Sequence, residues 1–155
     1  ATDAFVEPLA GQQIMYFTFS GSDVTCAVAD KVLQIMQDEH LVERCAEMGE
    51  RFASMLDERL TDHPHVADIR GMGLMRGIEL VRDRSTGASF DGALTPLVVA
   101  AALERDTWIY PAGSAGVPDG LLFGPSFAIA ESDLERLADV ALESIDTAVE
   151  RFGQL

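Results

Sequence analysis

The chain has 155 residues, with 26 Asp+Glu against 11 Lys+Arg, giving a formal charge of −15 and a pI near 4.3. Its length and an apolar content of 48% suit one folded domain, or one with a small part of another. Such a chain buries about 68–70% of its extended-chain surface and needs no disulfide or metal to hold a core. The charge argues against nucleic-acid and anionic-membrane partners, which call for a basic face. No apolar run approaches the ~18 residues of a membrane-spanning helix and no signal peptide opens the chain, so a cytoplasmic protein is expected.

Taken in order, the chain opens on a short apolar-acidic stretch, Asp3 to Leu9, followed by two Gly/Ser clusters around Gly11 and Ser20-Gly21-Ser22. Ser22 or Asp23 is a natural N-cap. From there Val24, Ala27, Val28, Val32, Ile35 and Met36 recur at helical spacing. A second helix carries Val42, Cys45, Met48, Phe52, Met55, Leu56 and Leu60 on one stripe, with mixed charge opposite. His63-Pro64-His65 ends it, because Pro disfavours helix at the preceding residue.

The period then changes. Val66 and Ile69, then Leu74, Ile78 and Leu80, predict two short strands joined by Arg70-Gly71-Met72-Gly73 and closed by the turn Asp83 to Gly87. A helix is expected from about Leu94 to Glu104, a strand over Thr107 to Tyr110, a loop over Pro111 to Gly120, and a strand over Leu121 to Phe123. The last helix carries Leu134, Leu137, Ala138, Ala141, Leu142, Ile145, Ala148, Val149 and Phe152, with a capping box at Ser132 and Glu135 or a cap at Asp133. Few short strands among longer amphipathic helices predict an α+β layer, a small antiparallel sheet covered by helices.

Several residues carry side chains capable of chemistry. Gly71 and Gly73 fail the dinucleotide pattern, since the next glycine is Gly77 and a strand follows. His63 and His65 read as exposed turn residues without a fixed third metal ligand, so no metal site is expected. Cys26 and Cys45 read as reduced core thiols. Lys31, the only lysine, lies beside Asp30 on a helix and reads as a solvated surface group. Thr18 is different. Its hydroxyl precedes a helix start, where main-chain N–H groups and the helix dipole favour an anion such as phosphate.

Phe17-Thr18-Phe19-Ser20-Gly21, with Cys26-Ala27 following, resembles the hydroxyl–aromatic–Ser–Gly segment of class III pyridoxal-phosphate aminotransferases, the ω-transaminase and ornithine-aminotransferase group. Later landmarks fall in that family's order. Leu41-Val42-Glu43-Arg44 through Gly49 resembles its linking helix. Val66 to Met75, containing Arg70-Gly71-Met72-Gly73-Leu74-Met75, with Gly77-Ile78-Glu79-Leu80, resembles its hairpin. Trp108 to Pro111 and Gly124-Pro125-Ser126-Phe127 resemble its C-terminal strands. Ser22-Asp23 stands where His-Pro is usual, and Asp106 and Ser126 where glycine and proline are common.

The resemblance implies the C-terminal small domain of a fold-type-I enzyme over residues 41–155, with the end of its large, cofactor-binding domain over 1–40. It implies pyridoxal phosphate as cofactor, a homodimer, and substrates that are an amine or amino acid and a keto acid. Thr18 would contact the cofactor phosphate from the neighbouring subunit, with the Phe17 backbone assisting, while Arg70 and the two glycines would be architectural. The Schiff-base lysine, the aspartate on the pyridine nitrogen and the ring-stacking aromatic would lie upstream, so this chain supplies no catalytic residue and alone should be inactive. The alternatives are an isomerase or decarboxylase relative, or a non-catalytic binding domain of the same fold.

Overall fold

A computed structural model describes residues 4, 7–11, 17–18, 21–90, 94–113 and 119–154. The chain divides into two compact units, Ala1–Glu39 and His40–Leu155. The first contains a 3-10 turn, Glu7–Leu9, and helix α1, Asp23–Asp38. Helix α1 is amphipathic, yet none of its residues is buried. Cys26 is therefore exposed, contrary to the expected core thiol, because none of the described residues of its unit buries the stripe.

The second unit comprises α2 (Leu41–Leu60), β1 (Val66–Met72), β2 (Met75–Leu80), α3 (Leu94–Leu103), β3 (Tyr110–Pro111), β4 (Gly120–Phe123) and α4 (Glu131–Phe152). The strands form one antiparallel sheet in the order β1-β2-β4-β3, so the α+β architecture read from the sequence holds. Strand alternation sorts the two faces: Arg76, Ile78 and Leu80 of β2 point inward, Met75, Gly77 and Glu79 outward. The inward set joins Leu121 and Phe123, the α2 residues Phe52, Leu56 and Leu60, and Leu134, Ala138, Ala141 and Ile145 of α4 in one core. Helix α3 is apolar nearly all round, as suits a helix packed on both α4 and the sheet.

Helices α2 and α4 run parallel. Arg51 meets Glu131 at 2.6 Å, Arg59 meets Asp139 at 2.5 Å, and His63 meets Asp146 at 3.0 Å, so the partners climb both helices together.

Local expectations are corrected in four places. The predicted turn at Arg70 to Gly73 shrinks to Gly73-Leu74, because β1 stays paired through Met72↔Met75. A two-residue loop whose first residue has positive φ, here Gly73 at 54°, matches the twist of an antiparallel pair. The strand predicted over Thr107 to Tyr110 is confined to Tyr110–Pro111, since this edge meets β4 only at Leu122 and Leu121. Helix α4 starts at Glu131 with Ala130 as its N-cap and no side-chain cap bond, so Ser132 lies inside the first turn and the capping box does not form. His63 and His65 are half-buried rather than exposed. The His63 ring accepts the His65 main-chain N–H at Nδ1 and lies 3.0 Å from Asp146 at Nε2, while His65 Nδ1 reaches the Val81 carbonyl at 3.1 Å.

Candidate functional site

Thr18 lies in an exposed turn, and Phe17 beside it is 64% exposed. Phe19 and Ser20 lie outside the described residues. Gly21 follows at φ +76°, and Ser22 takes the extended N-cap position of α1 without a side-chain cap bond. The first main-chain bond of α1 is Cys26 N–H to the Ser22 carbonyl at 2.9 Å, so the earlier amides lack helical partners. The hydroxyl, the turn and the helix start are thus adjacent along the chain, as the sequence led us to expect. Lys31 sits exposed on the same helix.

In the second unit the sheet face turned away from the core is the chemically distinctive surface. Its tip is apolar: Met72 is 85% exposed and Met75 62%. Together with Cys45, Gly71, Gly77, Leu122, Phe127 and the Arg70 side chain they line a groove of about 670 Å³. A second groove of about 350 Å³ lies along the β3 edge between Trp108, Tyr110, Leu122 and Pro125. Arg70 is the basic member of this face. Its guanidinium donates to Asp68 at 2.6 Å and Glu79 at 2.9 Å. The hydrogen bonds to Asp68 and then Glu79 raise its pKa above the ordinary arginine value, so its charge is fixed and outnumbered.

Three inward or bridging side chains hold the face in place, and sequence reasoning did not single them out. Arg76 is buried and donates to the Gly49 carbonyl at 2.8 Å and the Gly71 carbonyl at 3.3 Å, tying α2 to the hairpin. Arg44 donates to the carbonyls of Phe127 and Ile129 at 3.1 and 2.5 Å, fixing the segment before α4. Asp119, fully buried, accepts from Thr95 N–H at 2.9 Å and Thr95 Oγ1 at 2.6 Å, and Gly120 N–H donates to Thr95 Oγ1 at 3.1 Å. This carboxylate caps α3 from 24 residues away, which no local capping pattern reveals.

The chain's resemblance can now be placed among known proteins. The sequence profile described as aminotransferase class III matches residues 10–148, and the chain belongs to that family. The uncharacterized aminotransferase YhxA of Bacillus subtilis is 40% identical over 132 residues, covering 84% of this chain and 29% of its own length. A solved Bacillus anthracis aminotransferase superposes with a TM-score of 0.82 at 32% identity, over 94% of this chain and 34% of that one. The ω-transaminase of Pseudomonas jessenii, solved in complex with PMP, superposes at 0.74 with 31% identity over 96% and 31% of the two chains. The chain therefore spans about a third of the length of these relatives.

Proposed function

We propose that this chain is the small domain, residues 41–155, and the end of the large domain, residues 1–40, of a pyridoxal-phosphate-dependent class III aminotransferase. The observation that carries the reading is the family match across residues 10–148, which takes in the Thr18 turn, the hairpin, the first two helices of the second unit and most of α4. The reaction exchanges an amino group for a carbonyl oxygen: the donor's amine carbon is oxidised to a ketone or aldehyde as the keto acid's carbonyl carbon is reduced to an amine. Bound pyridoxal phosphate supplies the electron sink that makes the donor's C–H bond acidic.

The residues present fit one part of that cofactor. Thr18 offers an exposed hydroxyl beside a helix start, suited to donating to a phosphate oxygen, and in a homodimer it would reach the neighbouring subunit's cofactor, with the Phe17 backbone beside it. Lys31 lies exposed on helix α1 between Asp30 and Val32, and we assign it no part in the chemistry. The catalytic amine belongs to another part of the enzyme. The small domain's work is to bind, orient and exclude water, and its outward sheet face is the surface available for it. We place the enzyme in the cytoplasm.

The test is the full-length enzyme, expressed and supplied with pyridoxal phosphate. An absorbance change of the bound cofactor on adding an amine, reversed by a keto acid, is the expected result. Release of carbon dioxide, or a product that keeps its nitrogen, would point to a decarboxylase or isomerase. No cofactor binding would point to a binding domain.

A further inference from the structure

The chain contains Asp-Gly steps at Asp91–Gly92 and Asp119–Gly120. Such a step is open to a spontaneous reaction, because the glycine has no Cβ to shield its nitrogen from the neighbouring carboxyl. The glycine nitrogen bonds to the aspartate Cγ. Its N–H proton and the acid proton leave with one carboxyl oxygen as water, and a five-membered succinimide closes. Water then adds back. Where it attacks the main-chain carbonyl carbon and breaks that carbon's bond to nitrogen, the main chain is left running through Cγ, an isoaspartate of unchanged mass.

At Asp119–Gly120 the fold sets one hydroxyl between the two reactants. Thr95 Oγ1 accepts the Gly120 N–H at 3.1 Å and donates to Asp119 Oδ1 at 2.6 Å, while the Thr95 N–H donates to the same Oδ1 at 2.9 Å. The N–H that must be given up is tied down, and the carboxyl cannot turn toward it without losing two donors. Asp119 Oδ2 is buried and has no hydrogen-bond partner among the described residues, so Thr95 alone among them fixes the carboxyl by hydrogen bonds. The main chain is paired on both sides: Leu80 N–H donates to the Asp119 carbonyl at 2.8 Å and Ala112 N–H to the Gly120 carbonyl at 2.9 Å. The sheet nonetheless favours glycine here, since a Cβ on residue 120 would lie 3.2 Å from the Ile78 carbonyl oxygen. The strand thus imposes the vulnerable step, and α3 supplies its guard.

We propose that Asp119–Gly120 is a covalent modification site, isomerising to isoaspartate during openings that release Thr95 from it and protected while the Thr95 hydroxyl is seated. The product adds one carbon to the main chain where β4 begins. That displaces the Glu79↔Gly120 register and parts the cap of α3, so an opening is recorded in the covalent structure. The proposal is independent of the aminotransferase reading.

The test keeps the full-length protein warm at neutral pH for weeks, digests it, and separates each isoaspartyl peptide from its parent of equal mass by chromatography. Asp119 is expected to convert at least about tenfold more slowly in the folded wild type than in guanidinium chloride, where Asp91 in the same chain reports the unprotected rate. Thr95→Val is expected to raise the native rate about tenfold, the worth of a hydrogen bond, and Thr95→Ser to leave it unchanged. Gly49→Ala loosens the domain where α2 meets the hairpin but keeps Thr95, and is expected to raise the rate far less. Conversion in the folded wild type at the unfolded rate would overturn the protection. No isoaspartate at 119 in denaturant, while Asp91 converts, would overturn the site. Equal acceleration by Gly49→Ala and Thr95→Val would overturn the role of Thr95. The comparison of folded with unfolded wild type decides the site and its protection even where Thr95→Val does not fold.

Discussion

Gly49 in the middle of α2 and Gly73 at the tip of the β1–β2 hairpin touch backbone to backbone: a Cβ built on Gly49 would collide with the Gly73 carbonyl. Gly73 in turn sits over Cys45, whose Sγ would lie 2.9 Å from an added Cβ. The hairpin is therefore seated on the helix by two positions without side chains, and Arg76 stitches the same contact through the Gly49 carbonyl. Gly49→Ala should destabilise the chain by about 1–3 kcal/mol, as overpacking does when neither backbone can retreat. Gly124→Ala, at a position with open space and no positive φ, should change stability by less than about 0.5 kcal/mol. Urea denaturation of the two variants beside the parent chain checks both.

Removing the buried cap should cost comparably. Thr95→Val leaves the Asp119 carboxylate without its hydroxyl donor and Gly120 N–H without its acceptor, and about 1–3 kcal/mol should be lost. Thr95→Ser retains both partners and should recover most of it. Amide exchange in the first turn of α3, which should accelerate in the valine variant alone, separates loss of the cap from general loosening.

Acid should weaken the second unit through identifiable carboxylates. The hydrogen bonds from Ser85 hold Asp83 below its ordinary value of 3.8, and the hydrogen bond from Arg151 holds Glu104 below 4.5. A carboxyl whose pKa is lower folded than unfolded binds more protons in the unfolded state. Its contribution is thus fully present above the unfolded value and is lost as pH falls through the folded one. Stability measured by thermal melts should be flat from about pH 7 to pH 5 with respect to these two groups and decline below the ordinary values. Both groups are exposed, so the slope should shrink in high salt. Asp83→Asn and Glu104→Gln should each flatten it further.

Thr18→Ala in the full-length enzyme should weaken pyridoxal-phosphate binding by about 1.5–3 kcal/mol, the worth of a hydrogen bond to a charged group, while Thr18→Ser should preserve it. Equilibrium dialysis of the cofactor measures the difference directly. Unchanged affinity would leave Thr18 as a turn residue.

The chain on its own should not catalyse transamination. Incubation with pyridoxal phosphate followed by borohydride should label Lys31 slowly and far below one equivalent, because its amine lies exposed on a helix and not in an enclosed site. Stoichiometric labelling with turnover of an amine would show this wrong.

Periodic patterns in the sequence reveal the long amphipathic helices well, since α2 and α4 each repeat apolar residues toward a single core. They reveal the hairpin too, because strand alternation changes the period between Pro64 and Leu80. What they miss is determined by partners remote in sequence. Asp119 reads as a loop residue until Thr95 is brought beside it. Arg76 alternates with Ile78 and Leu80 on the inward side of β2, but its partner, the carbonyl of Gly49, is remote in sequence. The β3 strand is short because its one neighbour is short. The adjacency of Thr18, its turn and the start of α1 was legible from the local segment, whereas the neutralisation of Arg70 depends on Asp68 and on Glu79 across the strand pair.

The parallel alignment of α2 and α4 also governs how the domain is born. Arg51 and Arg59 find their carboxylates 80 residues later in the chain, and Phe52 and Leu56 share a core with Leu134 and Ile145. During synthesis, α2 and the hairpin emerge while the helix that completes their burial is still unmade. For an interval of several seconds, at about 5–20 residues per second, the nascent chain carries a half-built core with its apolar face in water. A chaperone that shields apolar surface at the ribosome exit should therefore raise the yield of this domain most when translation between Leu60 and Glu131 is slowed.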